Sequence, residues 1–138
     1  MNKVKTSVAE MFIDDDDILY IKILLNALLT IEAVQEYFSV TLELLSEKKA
    51  IILFDGTEKY QLTWEAKALC ASKDVTEARI AIAFVTNSIS NKVKFNLYLN
   101  VYKLAGPTKM FSSQKDGLDW LKIFYVMPGD KLIRQNKK

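Results

Sequence analysis

Val4, Thr6, Val8 and Phe12 stand on alternate positions, and that period of two predicts a first β-strand over residues 4–13. Asp14, Asp15, Asp16 and Asp17 follow directly. Four adjacent carboxylates repel one another and must stay hydrated, so they predict a turn. Residues 18–25 are rich in β-branched and aromatic side chains and pair back as a second strand. Residues 26–29 connect this hairpin to a helix with Thr30 as its N-cap.

Ile31, Val34, Phe38, Leu42 and Leu45 then recur at spacings of three and four, one stripe of a helix over residues 31–47. The all-apolar run from Ala50 through Ile51, Ile52, Leu53 and Phe54, closed by Asp55-Gly56, reads as a buried parallel strand. Thr63 caps a helix running to about residue 72, and Glu65 in its first turn suits the positive end of the dipole. Residues 79–86 form another buried strand, punctuated by Asn87 and Ser88, and a helix follows to about residue 103. Ala105-Gly106-Pro107 stops it. A short strand at 109–111 leads to Ser113, which with Asp116 resembles a capping box opening a last helix at 114–124.

The resulting order, ββαβαβαβα, predicts one α/β domain over residues 1–127 with a mixed sheet of about five strands. Residues 128–138, with Lys131, Arg134, Lys137 and Lys138, are expected to be a polar, basic tail.

The helix near residues 90–103 carries apolar residues on more than one face. Val93, Leu97 and Val101 supply a core side, and Phe95, Tyr98, Leu99 and Tyr102 are in surplus. A dimer interface, a lipid-facing groove and deep burial all fit this excess. It marks those four residues as a candidate self-association surface, with a homodimer as its product. Trp64 and Trp120 are expected to anchor packing, and Cys70 to be a small core residue.

Composition narrows the chemistry. With 138 residues, half of them hydrophobic, the chain has ordinary globular make-up. A net charge of +2, with basic residues scattered outside the tail, argues against nucleic acid as a partner. The single cysteine precludes an internal disulfide and fits a reducing cytoplasm. The N-terminus shows no apolar signal segment. The most apolar stretch, residues 18–34, is interrupted by Lys22, Asn26, Thr30 and Glu32, so no transmembrane segment is expected. Absence of histidine excludes Ser-His-Asp and Cys-His nucleophile systems and HExxH zinc sites. No catalytic residues, metal ligands or cofactor motif emerge, and the four aspartates lack the spacing of an EF-hand.

The element order resembles that of the STAS domain, the fold of bacterial anti-sigma-factor antagonists. It resembles more specifically the uncharacterised bacterial proteins described as SpoIIAA-like or STAS/SEC14-like. The residues carrying the likeness are Asp17-Ile18-Leu19-Tyr20-Ile21-Lys22-Ile23 and Leu29-Thr30-Ile31-Glu32-Ala33. To these are added Gly106-Pro107-Thr108-Lys109-Met110-Phe111-Ser112-Ser113 and Leu118-Asp119-Trp120-Leu121. The resemblance covers about residues 4 to 124. It implies a non-enzymatic interaction module in which a residue at the N-terminus of the helix after the third strand is phosphorylated. Thr63 occupies that location, but Leu62-Thr63-Trp64-Glu65 stands where antagonists carry Asp-Ser-Ser-Gly. The location carries over and the phosphoacceptor role does not.

The expected function is therefore a cytoplasmic protein-interaction or regulatory module without catalysis. Its candidate interaction edge comprises Asp55, Gly56, Thr63, Asn87 and Ser88, facing a protein partner. The alternative, implied by the SEC14 comparison, is a binder of a lipid or other apolar small molecule, supported by the apolar excess from Phe95 to Tyr102.

Overall fold

The computed structural model describes residues 3–46, 48–102, 104 and 106–124. In chain order the elements are strands β1 (Val4–Lys5), β2 (Ala9–Ile13), β3 (Ile18–Ile23) and β4 (Ala27–Leu29), then helix α1 (Ile31–Leu45). Strands β5 (Ala50–Asp55) and β6 (Tyr60–Leu62) precede helices α2 (Trp64–Cys70) and α3 (Lys73–Thr76). Strand β7 (Arg79–Val85), helix α4 (Ile89–Val101), strand β8 (Thr108–Phe111), helix α5 (Gln114–Leu121) and a 3₁₀ turn (Lys122–Phe124) complete the fold.

The main sheet is mixed and has six strands in the order β1-β2-β3-β5-β7-β8. Its first three strands are antiparallel and its last four parallel, with β3 common to both halves. This is the α/β architecture expected from the sequence, with one strand more in the main sheet. The extra strand arises because residues 4–13 are not continuous. The chain reverses at Thr6, whose hydroxyl accepts from Val8 N and Ala9 N at 3.3 and 3.1 Å, so that Val4 faces Met11. A second departure is the two-stranded parallel ribbon β4-β6, built from stretches expected to be connections.

The carboxylate run is the tip of the β2–β3 hairpin. Asp14 Oδ1 accepts from Asp16 N and Ile18 N, both at 2.9 Å, and Asp17 adopts a positive φ of 62°. Three crossovers, through α1, through α2 and α3, and through α4, all step in one direction along the sheet. Right-handed crossovers of that kind place their helices on a single face. That face is lined by Ile21, Ile23, Ala50, Ile52, Phe54 and Ile82. The opposite face, with Ile51, Leu53, Ala81, Ala83 and Val85, is covered among the described residues by α5 and the 3₁₀ turn after it. Gly117 permits the close approach: a Cβ there would lie 3.1 Å from Leu53 Cδ1 and 3.3 Å from Val85 Cγ2.

Caps set the helix starts. Thr30 Oγ1 accepts from Ala33 N, Ser88 Oγ from Asn91 N and Ser113 Oγ from Asp116 N, each supplying a partner to an otherwise orphaned N–H. The buried face of α1 passes through Ala33, Val34, Tyr37, Thr41 and Leu45, a partial rotation from the predicted stripe; Leu42 is exposed. Thr41 tolerates the core because its hydroxyl donates to the Tyr37 carbonyl at 2.8 Å.

Helix α4 is the larger correction. Its exposed residues are the expected core side, Val93, Leu97 and Val101, joined by Ile89, at 54% to 79% exposure. Phe95, Tyr98, Leu99 and Tyr102 are half-buried and turned towards the body. Trp64, expected to anchor packing, is 67% exposed with its ring tilted against Tyr102. Trp120 does pack, between Phe111 and Phe124. The ends predicted at Glu47 and Lys103, and the tail at 128–138, lie outside the described residues.

Candidate functional site

No residue of α4 is buried, and among the described residues it meets the rest of the fold through a few side chains. It bridges instead. Phe95 rests on Phe84 with ring centres 4.4 Å apart, the Tyr98 hydroxyl donates to the Lys67 carbonyl at 3.0 Å, and Lys92 Nζ donates to Ser112 Oγ. Beneath this span lies a cavity of about 390 Å³. Its floor is the sheet, at Ile21, Ile52, Phe54, Ile82 and Phe84. Helix α1 closes one side with Tyr37, Phe38 and Thr41; α2 and α3 contribute Lys67, Cys70 and Val75, and Phe95 and Tyr98 form the roof. The lining is predominantly aliphatic and aromatic with a few polar groups, the usual character of small-molecule pockets.

Burial dominates the electrostatics here. It pushes the Tyr60 phenol up to about 12 and raises Tyr98 and Tyr37 well above the ordinary tyrosine range. Cys70, 3.6 Å from the Tyr37 hydroxyl, is likewise raised by burial, so its thiol stays protonated near neutrality and is a poor nucleophile. Burial lowers Arg79, although a guanidinium keeps its proton near neutrality. Among the described residues no group of three or more His, Cys, Asp or Glu side chains is placed to hold a metal ion.

The candidate interaction edge is brought together in part. Asp55 and Val85 are register partners, so Asp55, Gly56, Asn87 and Ser88 gather where β5 and β7 end. Asp55 and Gly56 are engaged locally: Asp55 Oδ1 accepts from Thr57 N and Oγ1 at 3.0 and 2.6 Å, and Gly56 N donates to Val85 O. Thr63 lies on the other ribbon, its N–H given to Leu29 O and its hydroxyl capping α2 through Ala66 N at 3.2 Å. None of the five lines the cavity. Gly56 touches it indirectly, since a Cβ there would stand 3.1 Å from the Tyr60 ring and hydroxyl. Of the candidate self-association residues, Phe95 and Tyr98 line the cavity, whereas Leu99 and Tyr102 do not. A wider groove between the β1–β2 hairpin, β4 and α1 is shallow and half polar. There Glu36 already accepts from Ser7 N and Oγ, which holds its carboxyl below the usual range.

The family model described as Domain of unknown function (DUF7793) matches residues 11–125. This chain belongs to the DUF7793 family. Among curated proteins, none matches the DUF7793 chain. An uncharacterised protein of the DUF3478 family with a SpoIIAA-like fold, from Shewanella loihica PV-4, is 19% identical with a TM-score of 0.61. The alignment covers 88% of this chain and 98% of that one. A protein with unknown function from Arthrobacter sp. fb24 is 20% identical over 87% of this chain and 97% of its own, with a TM-score of 0.28. The first likeness shows that the DUF7793 domain has a SpoIIAA-like fold, as the element order implied. No helix among the described residues is long and apolar enough to cross a membrane.

Proposed function

We propose that this domain is a non-catalytic binding module that takes an apolar small molecule into the cavity beneath α4. The observation that carries this reading is the cavity itself. Well-packed cores leave few voids larger than a water molecule, whereas here a partly open cavity of about 390 Å³ lies between the sheet's aromatic floor and the ring of Phe95. At about 30 Å³ for each water-sized unit, that is room for roughly a dozen non-hydrogen atoms. The absence of histidine and the raised pKa values of Cys70, Tyr37 and Tyr98 support binding rather than proton transfer. Native mass spectrometry of protein purified from its own host is expected to show a non-covalent apolar adduct. Adduct-free mass in every preparation would count against the reading.

A second reading, an interaction module, is favoured by a different observation. Ile89, Val93, Leu97 and Val101 make an exposed apolar stripe at spacings of four along the outer face of α4. Such a stripe fits self-association or a protein partner. Light scattering at micromolar concentration is expected to report a dimer that Leu97→Glu dissociates. A monomeric wild-type protein would refute self-association.

A further inference from the structure

Among the described residues, the buried charge of Arg79 in the cavity has no counter-ion. Arg79 begins β7 and is only 9% exposed, yet its Nε and Nη2 are buried with no acceptor among the described residues. These two nitrogens form one edge of the guanidinium, the side-on fork whose parallel N–H groups match the two oxygens of a carboxylate. Among the described residues, the titratable groups acting on Arg79 are Tyr98, Cys70 and Tyr37, all neutral near pH 7. The Tyr98 hydroxyl is already given to Lys67 O, and Tyr37 and Cys70 face each other. Among the described residues, the cavity lining holds three cationic side chains, Lys67, Lys94 and Arg79, and no carboxylate.

The backbone is shaped to put Arg79 there. Strict alternation from Ala81, Ala83 and Val85 would send it to the α5 face. Instead Ala50 pairs with Arg79 and the next pair is Ile51 with Ala81, which leaves Ile80 as an extra residue. That bulge leaves Ile80 on the α5 face beside Ala81 and turns Arg79 to the face of Ile82 and Phe84. Re-aiming a side chain is a recognised use of β-bulges.

We propose that the ligand of this cavity is an anionic amphiphile, an aliphatic chain ending in a carboxylate, held by the Nε–H and Nη2–H edge of Arg79. The inference rests on the cavity reading above and adds the ligand's charge and its anchor. The carboxylate would satisfy the orphaned fork, while the chain would lie along Ile52, Phe54, Ile82, Phe84 and Phe95. Lys94 and Lys67 add the same sign of charge to the lining.

Isothermal titration of decanoate, decanol and acetate into the wild-type protein and into Arg79→Met tests this. The wild-type protein is expected to bind decanoate at least tenfold more tightly than decanol, and acetate far more weakly than either. Arg79→Met is expected to lose that preference while keeping its affinity for decanol. If Arg79→Met does not fold, the wild-type preference and its loss in Arg79→Gln decide the matter. Equal binding of decanoate and decanol by the wild-type protein would overturn the anchor and leave the cavity reading intact. Acetate binding as tightly as decanoate would overturn the amphiphile in favour of a free anion. No binding of decanoate or decanol would overturn both readings together.

Discussion

Leu53→Ala is expected to lower the unfolding free energy by about 3–5 kcal/mol, the range for a buried leucine whose surroundings cannot collapse. Leu53 is 1% exposed and sits in β5, which is hydrogen-bonded on both sides, to β3 and β7. The ladders hold the strand in place, and α5 already lies as close as Gly117 allows, so the void left by three lost heavy atoms would persist. Against a typical domain stability of about 5–15 kcal/mol the loss is about a fifth or more. Urea denaturation should show a lower midpoint at unchanged slope. Ile89→Ala, at a side chain 79% exposed, should stay within about 0.5 kcal/mol of wild type. A Leu53→Ala cost below about 1 kcal/mol would mean that α5 does not seal this face.

What the sequence discloses and what it hides have physical reasons. The Ala50–Asp55 strand was legible because a strand covered on both faces, here by the α1 side and by α5, must be apolar throughout. The starts at Thr30 and Ser113 were legible because capping is local: the hydroxyl reaches an N–H three residues on whatever the tertiary fold. The β1–β2 reversal and the β4–β6 ribbon were not, since strands of two or three residues are specified by their partners rather than by their own pattern. Thr6 carried a signal, a hydroxyl able to close a turn, but it lay within an alternation that a continuous strand would also produce.

Helix α4 failed for a different reason. With apolar residues all round, periodicity cannot choose which side faces the body, and the aromatic side turned inward because those longer side chains reach across a gap that valine cannot span. Arg79 was the hardest residue to find. An arginine opening an apolar strand looks like a solvated end, and alternation assigns it to the wrong face; only the bulge at Ile80 reveals where it points. The candidate edge at Asp55, Gly56, Asn87 and Ser88 was legible as a place because parallel strands end together. Its local bonding, Asp55 to Thr57 and Ser88 to Asn91, could not be read before the turns were seen.

Val75→Trp is expected to weaken binding of a neutral apolar probe such as decanol more than about tenfold while leaving the fold intact. Val75 is half-buried on α3 and lines the cavity, so a larger side chain can extend into open space rather than into packed neighbours. Overpacking costs about 1–3 kcal/mol where the interior is already full; a void removes that penalty and adds dispersion contacts, so the unfolding midpoint should hold or rise. Binding moves the other way. Each methylene that the indole keeps out of the cavity forfeits about 0.8 kcal/mol of transfer free energy, and two of them exceed the 1.4 kcal/mol that separates decades in affinity. The pairing of a retained midpoint with lost affinity is what separates occupation of this cavity from binding elsewhere. A stable Val75→Trp protein that bound decanol as tightly as wild type would place the apolar ligand on another surface, the outer stripe of α4 first among them.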